Sequence, residues 1–274
     1  MRCEGCYNHF GDTAQHGGLV TADEVATFAK RAKIAGLAQA TVAGGDPLFH
    51  PEIVRILQRF KAMGLRVKLD TVGTSFLGEA KIVFKGKGVT PAVAVADIAP
   101  YVDFVNVPLD GSSQKTLGAF RKGRPHLFDE TRKITSMLRA HHVHFGYNTV
   151  ANTSNIHELE AIRTIAEEDG ADEWQVFEYD PKGPNPSREK DALTLHTGEF
   201  EAAVLRIPPS QSNMKVDFKN LQDRTGAYFL IDDSGHAWKP SGAGQRFIVG
   251  HIINDQNEVI DAWERHVIEM HQEP

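Results

Sequence analysis

The sequence predicts an α/β fold over residues 1–180, followed by a short C-terminal α+β extension over residues 181–274. Short apolar segments alternate with longer segments whose apolar residues recur every three to four positions, which is typical of alternating strands and helices. This alternation stops at Pro181-Lys-Gly-Pro-Asn-Pro186, a loop-like segment. Because right-handed crossovers place the loop after every strand on one rim, we expect the polar residues at the strand ends to gather there.

The predicted strands cover residues 39–43, 65–71, 103–109, 143–150 and 174–179, and the principal helices between them cover 21–35, 51–63, 128–141 and 155–169. Thr21 with Glu24, and Asn155 with Glu158, have the spacing of capping boxes that begin helices. Pro51 suits the first position of its helix. In the extension, a helix near residues 197–205 and a hairpin of strands 227–231 and 236–239 are predicted.

The strand at 143–150 alternates apolar and polar residues. If its odd-numbered residues face the helices, then His144, Gly146 and Asn148 point into the barrel, where a polar side chain needs a partner or a ligand. This strand is therefore predicted to contribute to a site.

The chain has two cysteines, Cys3 and Cys6. Thiolates at this spacing suit a redox dithiol, an iron–sulfur cluster, or a zinc site completed by His9 and His16. A thioredoxin-type dithiol normally follows a strand and begins a helix, whereas this pair is followed by a polar loop. The pair alone does not select among these chemistries.

The apolar run 40–43 ends in Gly44-Gly45-Asp46-Pro47, and later strands end in Thr71-Val72-Gly73 and Leu109-Asp110-Gly111-Ser112. In this order the motifs resemble those of radical S-adenosylmethionine enzymes. In that superfamily a Cys-x3-Cys-x2-Cys loop binds a [4Fe–4S] cluster, and a Gly-Gly-Glu-Pro-like stretch holds the amino group of S-adenosylmethionine. Asp46 stands in place of the Glu, and Val72 in place of an Asn.

The resemblance implies that Cys3 and Cys6 are the second and third cluster ligands. The first would lie four residues before Cys3, upstream of Met1, as would the first barrel strand. We therefore expect a partial, open (β/α)6 TIM-like barrel lacking its first strand, and a chain that holds a cluster poorly as printed. The residues expected near the cofactor are Gly44, Gly45, Asp46, Pro47, Thr71, Gly73, Asp110, Asn148 and Tyr7.

The resemblance also implies the chemistry. One-electron reduction of S-adenosylmethionine by the cluster gives a 5′-deoxyadenosyl radical that abstracts hydrogen from a substrate, with an electron donor such as flavodoxin or ferredoxin as partner. Viperin-like members act on nucleotides and other members modify peptides, so a small-molecule or a peptide substrate is expected. The alternative is a barrel without a cluster that only binds a small molecule.

Composition excludes some classes of function. A formal net charge of −6 and a pI near 6.1 give no basic footprint for extended nucleic-acid binding. The sequence shows no apolar stretch of membrane-spanning length, and the scarcity of cysteine fits a cytoplasmic protein. Lys239 and Arg246 flank a Gly-rich segment, which is interpreted as a loop, with phosphate binding by Arg246 as the alternative.

Overall fold

The computed structural model describes residues 2–3, 18–78, 82–83, 89–90, 92–181, 191–210, 212–240 and 246–272. In chain order the strands are β1 (Arg2–Cys3), β2 (Gln39–Val42), β3 (Arg66–Asp70), β4 (Ile82–Val83), β5 (Val89–Thr90), β6 (Phe104–Pro108), β7 (Arg121–Lys122), β8 (Phe145–Ala151), β9 (Glu173–Glu178), β10 (Lys215–Lys219), β11 (Leu230–Ile231), β12 (His236–Pro240) and β13 (Arg246–His251). Six of them form one parallel sheet in the order β10-β9-β8-β6-β3-β2. This curled sheet confirms the predicted partial α/β barrel.

The helices of the described residues are α1 (Ala22–Ile34), α2 (Ile53–Ala62), α3 (Val95–Ile98), α4 (Gln114–Phe120), α5 (Leu127–Ala140), α6 (Leu159–Glu168), α7 (Glu199–Val204) and α8 (Gln256–Gln272). The capping box that begins α1 is confirmed, because the Glu24 amide donates to the Thr21 hydroxyl and the Thr21 amide donates to the Glu24 carboxylate. No helix of the described ranges is both long enough and apolar enough to cross a membrane.

The two faces of the main sheet differ in chemistry. On the convex face, alternate residues such as Leu69, Val107 and Trp174 are buried in the core shared with the helices. Because side chains alternate between faces along a strand, Asp70, Asn106 and their neighbours in register lie on the concave face. The sheet therefore has an apolar outer face and a polar inner face.

The C-terminal part adds a three-stranded antiparallel sheet, β11-β12-β13, and α8. The predicted hairpin is confirmed by the pairing of Leu230 with Trp238. A second apolar core joins this sheet and α8 to α1, with Phe28 and Ala237 among its members. The extension is thus packed against the first helix of the barrel.

Some predictions were wrong in detail. Pro51 lies in a turn two residues before α2, which begins at Ile53. Asn155 and Glu158 do not form a capping box, because neither side chain caps a helix. Lys215–Lys219, for which no strand was predicted, pairs with β9.

The predicted inward orientation of His144 was also wrong. Strand β8 begins one residue later, at Phe145, and the His144 side chain is 72% exposed. It pairs instead with Asp172, with 3.2 Å between Nδ1 and Oδ1. Gly146 and Asn148 retain the concave-face position that the alternation predicts.

Candidate functional site

Asp46 is held in a fixed position at the carboxyl end of β2. It caps the 3-10 helix Pro47–Phe49, with Oδ1 accepting from the Leu48 amide at 3.2 Å. The same oxygen accepts from the Thr71 hydroxyl at 2.5 Å. The other oxygen, Oδ2, is buried and has no hydrogen-bond partner among the described residues. One carboxylate oxygen therefore fixes the loop and the other is left for a donor from outside the chain.

The environment of Asp46 also changes its acidity. Burial raises the pKa of Asp46 to about 6, although hydrogen bonding from Thr71 and from the nearby backbone amides of Leu48, Val72 and Gly73 acts in the opposite direction. A cation placed at Oδ2 would favour the ionised form. The carboxyl is therefore suited to receive an ammonium group, with a proton as its competitor.

The backbone conformation and the close packing around Asp46 explain why glycine occurs there. Gly44 has φ 146°, a backbone conformation that favours glycine. Gly73 has φ 75°, and an added Cβ would lie 2.9 Å from Cγ2 of Ile134. The Gly73 amide donates to the Thr71 hydroxyl oxygen at 2.9 Å. Gly44 and Gly45 themselves are exposed beside the loop, and Pro47 is buried.

Asp110 is fully buried and both of its carboxylate oxygens are used by the protein. Oδ2 pairs with the Arg121 guanidinium, and Oδ1 accepts from the Val150 amide at 2.6 Å. The Asp110 carbonyl accepts from the Asn155 side-chain amide at 2.9 Å. Asp110 therefore links Arg121, Val150 and Asn155 at the rim.

Through Arg121, Asp110 is also linked to β1, the strand that carries Cys3. Arg121 lies in β7, which pairs antiparallel with β1, so that Cys3 is opposite Arg121 and Arg2 is opposite Lys122. The Asp110–Arg121 ion pair therefore connects the turn after β6 to the backbone of Cys3. Cys6, Tyr7, His9 and His16 lie outside the described residues, as does any zinc site built from them.

Glu158 has a role that its sequence spacing did not reveal. Its carboxylate accepts from the Ser112 amide at 3.0 Å and from the hydroxyls of Ser112 and Thr116 at 2.9 and 2.8 Å. Burial disfavours the ionised form, but these hydrogen bonds outweigh it and lower the pKa of Glu158. Glu158 thus fixes the turn that follows Asp110 instead of capping its own helix.

Within the described ranges, two side-chain amides on the concave face have buried oxygens without hydrogen-bond partners. Asn148 on β8 lies opposite Pro108 of β6, and its Oδ1 is one of them. Asn106 is 3% exposed; its Nδ2 donates to Asp70 at 2.8 Å, whereas its Oδ1 has no partner. Asn106 and Asp70 were not predicted as site residues, although both occupy inward-facing positions in the alternation of their strands.

The two cations singled out in the extension have partners of their own. The Arg246 guanidinium lies 4.5 Å from the centroid of the Trp238 ring and 3.6 Å from Asp232. Lys239 pairs with Glu269 at 3.3 Å. Arg246 is therefore part of the packing of the small sheet.

Comparison with known proteins identifies the family. Residues 1–165 match the family model described as Radical SAM superfamily. An AdoMet-dependent heme synthase of Methanosarcina barkeri is 30% identical over 219 residues, which are 80% of this chain and 57% of the synthase. An S-adenosylmethionine-dependent nucleotide dehydratase of Flammeovirga pacifica is 19% identical over 260 residues, covering 92% of this chain and 82% of the dehydratase. The chain thus spans just over half of the length of the heme synthase.

Solved structures show the same fold. The structure of anSMEcpe with bound AdoMet and a Kp18Cys peptide aligns with a TM-score of 0.63 and 12% identity, covering 100% of this chain and 80% of the other. Streptococcus suis SuiB bound to its precursor peptide SuiA aligns with a TM-score of 0.60 and 14% identity, covering 80% of this chain and 45% of SuiB. At these identities the likeness concerns the arrangement of strands and helices.

Proposed function

Because the chain belongs to the radical S-adenosylmethionine superfamily, whose members use a [4Fe–4S] cluster and S-adenosylmethionine, we propose that it is a radical enzyme that abstracts hydrogen from its substrate. When bound and reduced, this pair of cofactors supplies the 5′-deoxyadenosyl radical. The protein binds and orients the cofactor and excludes water. The observation that carries the proposal is the unpartnered, buried Oδ2 of Asp46.

We assign Asp46 to the amino group of S-adenosylmethionine. Oδ1 is occupied by Leu48 and Thr71, so the loop holds Oδ2 in place before the ligand arrives. A charge-assisted hydrogen bond to a preorganised carboxylate contributes about 1.5–3 kcal/mol. Asp therefore serves here where the family pattern has Glu.

The other predicted residues take supporting or contact roles in the proposal. Gly44 and Gly45 leave the backbone accessible, Thr71 and Gly73 hold Asp46, and Pro47 begins the buried turn. Asn148 lies on β8, and its Oδ1 is buried and unpartnered among the described residues. It is assigned as a further contact of the cofactor. Tyr7 remains a proposed neighbour of the cofactor by resemblance.

Cys3 and Cys6 are assigned as cluster ligands. Asp110 holds the strand of Cys3 through Arg121, which makes it a positioning residue. The printed sequence contains two cysteines, whereas the family loop uses three. We therefore expect residues 1–274 alone to hold a cluster poorly. A chain that also carries a cysteine four residues before Cys3 should hold it well.

We propose that residues 1–180 hold the cofactor and that residues 181–274 contribute to substrate binding. The small-molecule and peptide classes both agree with the relatives named above. A flavodoxin or ferredoxin is proposed as the electron donor. Since reduced iron–sulfur clusters need a reducing compartment, the cytoplasm is the proposed location; membrane and nucleic-acid partners are not proposed.

The test is anaerobic reconstitution with iron and sulfide, followed by dithionite reduction and assay for 5′-deoxyadenosine. It compares residues 1–274 with the product of any upstream start codon, each with and without Cys6→Ala. We expect cysteine-dependent iron near four per chain and release of 5′-deoxyadenosine from the form with three cysteines. Iron content unaffected by Cys6→Ala, with no release from any form, would favour a barrel that binds without catalysis.

A further inference from the structure

A second group of polar side chains lies on the concave face, deeper in the barrel than Asp46. We define it as the lumen cluster, made up of Asp70, Asn106, Lys219, Arg224 and Tyr228. Asp70 and Asn106 come from neighbouring strands in register, and the other three come from the end of β10 and the segment that follows it. The cluster therefore joins the barrel to the extension.

One side of the lumen cluster offers hydrogen-bond acceptors. Asn106 donates through Nδ2 to Asp70, and this fixes the amide so that Oδ1 remains buried and without a partner. Gly146 lies opposite Asn106 on β8. A Cβ at Gly146 would lie 2.6 Å from the Glu173 carbonyl oxygen and 3.0 Å from Oδ1 of Asn106, so glycine permits this close approach and also leaves the amide oxygen its space. An unpartnered buried acceptor is costly unless a ligand supplies the donor.

Two further cations on this face share one carboxylate. Lys68 of β3 reaches Glu173 of β9 at 3.1 Å, and Lys215 of β10 reaches the other oxygen of Glu173 at 3.0 Å. The Lys68 ammonium also lies 4.9 Å from the centroid of the Phe104 ring. This ion network crosses the concave face at the level of Gly146, because Glu173 is the register partner of that glycine.

The opposite side of the lumen cluster is cationic. The Lys219 ammonium and the Arg224 guanidinium lie 5.2 and 5.9 Å from the centroid of the same Phe177 ring. Nη2 of Arg224 donates to the Glu178 carbonyl at 2.6 Å, whereas its buried Nε has no hydrogen-bond partner in the described part of the chain. The Lys219 ammonium also pairs with the Asp217 carboxylate, with 3.3 Å between Nζ and Oδ2. An oxyanion is the natural ligand of two such cations.

The two sides are close enough to interact. Burial raises the pKa of Asp70, and the charges of Lys68 and Lys219 act against that rise. Burial also raises the pKa of Tyr228, which accepts a hydrogen bond from Arg224 and lies within the field of Asp70. Tyr228 is therefore influenced by both the acceptor side and the cationic side.

We propose that the lumen cluster binds the substrate of the enzyme proposed above, through an N–H donor held by Asn106 and an oxyanion, carboxylate or phosphate, held by Arg224 and Lys219. The site adjoins the one proposed for the cofactor, because Asp70 directly precedes Thr71, the partner of Asp46, and Asn106 lies two residues, or about 6.6 Å along the strand, before Pro108, the register partner of Asn148. The proposal rests on the proposed function for its role, and on the contacts of the cluster for its chemistry.

The experiment measures binding to the full chain without a cluster, so that it is independent of S-adenosylmethionine cleavage. Isothermal titration calorimetry uses tripolyphosphate and the four ribonucleoside triphosphates in the phosphate arm, and glycyl-glutamate in the carboxylate arm. Arg224→Gln should weaken binding in the responding arm about tenfold or more, as expected for a charge-assisted hydrogen bond. Arg246→Gln is the matched control and should leave binding unchanged, because Arg246 is packed on Trp238.

Asn106→Leu tests the donor half of the proposal. It should weaken probes that carry N–H groups and leave tripolyphosphate, which has none, unaffected; circular dichroism checks that the variant folds. Failure of the wild-type chain to bind either the phosphate or the carboxylate probes contradicts the proposal. So does an Arg224→Gln variant that binds the responding probe as tightly as wild type. Equal loss of S-adenosylmethionine affinity in Arg224→Gln, measured on the reconstituted protein, would assign the cluster to the cofactor and also overturn it.

Discussion

The convex and concave faces of the main sheet differ in how their buried polar groups are hydrogen-bonded. On the convex face, the Tyr147 hydroxyl donates to Asp169 at 2.7 Å, and the Trp174 indole donates to the Thr149 hydroxyl at 2.9 Å. Thr149 in turn donates to the Leu109 carbonyl at 2.6 Å. These groups are paired within the chain and hold helices and strands together.

On the concave face and its rim, Asp46, Asn106 and Asn148 each leave a buried oxygen without a partner. Each is nevertheless fixed in place, by Thr71 and Leu48 for Asp46 and by Asp70 for Asn106. Unpaired buried oxygens reduce stability unless a ligand supplies a donor, and three of those in the described residues lie here, whereas Thr131 of α5 carries another on the helix side. The comparison predicts that convex-face variants affect stability and concave-face variants affect binding.

The largest expected effect is on the convex face. Asp169→Ala leaves the buried Tyr147 hydroxyl and the Arg132 guanidinium without their shared acceptor. We expect the free energy of unfolding to fall by about 3 kcal/mol, measured by urea denaturation of the cluster-free chain. Tyr147→Phe, which removes the hydrogen bond to Asp169 and the 3.2 Å contact with the Thr135 hydroxyl, should cost about 1 kcal/mol. Equal small losses in both variants would contradict the shared-acceptor role.

A smaller effect is expected from a matched pair of glycines near the rim. Gly73 and Gly78 have φ of 75° and 76°, so an alanine pays the same backbone strain at either position. Only at Gly73 does the added Cβ approach another atom closely, 2.9 Å from Ile134. Gly73→Ala should therefore be less stable than Gly78→Ala by about 1–2 kcal/mol in thermal or urea unfolding. Indistinguishable variants would show that the rim adjusts freely.

The smallest effect is a pH dependence of stability. Burial raises the pKa of Asp46 to about 6, above the value of about 4 expected in an unfolded chain. Between these values the folded chain binds more protons, so the contribution of Asp46 to the free energy of unfolding is full below pH 4 and is lost as the pH rises through 6. Asp46→Asn should remove this part of the slope between pH 4 and 6.5. An identical slope in wild type and variant would contradict the raised pKa.

The sequence predicted what depends on local periodicity. The strands at 39–43, 65–71 and 103–109, the capping box of α1 and the C-terminal hairpin all follow from side-chain alternation, cap spacing and turn residues. The order of the motifs also indicated the superfamily, which the family match over residues 1–165 confirms.

Long-range pairing was beyond the sequence. Glu158 has the spacing of a capping residue, yet it reaches across 46 positions to Ser112. His144 lies one residue outside its strand and so faces solvent, because strand boundaries are less certain than strand existence. Arg224 acquires its surroundings only because β10 pairs with β9 and brings the following segment onto the concave face. Such contacts depend on the assembled sheet.

The most direct test of the division between faces is a pair of measurements on Asp46→Asn. The amide keeps the acceptor that Leu48 and Thr71 use and removes the negative charge at the position of the unpartnered oxygen. Calorimetry on reconstituted protein at pH 7.5 should show S-adenosylmethionine affinity lower by about 1.5–3 kcal/mol, with an unchanged or higher free energy of unfolding. Unchanged affinity together with lower stability would show that Asp46 only maintains its turn, and would contradict a concave face reserved for ligands.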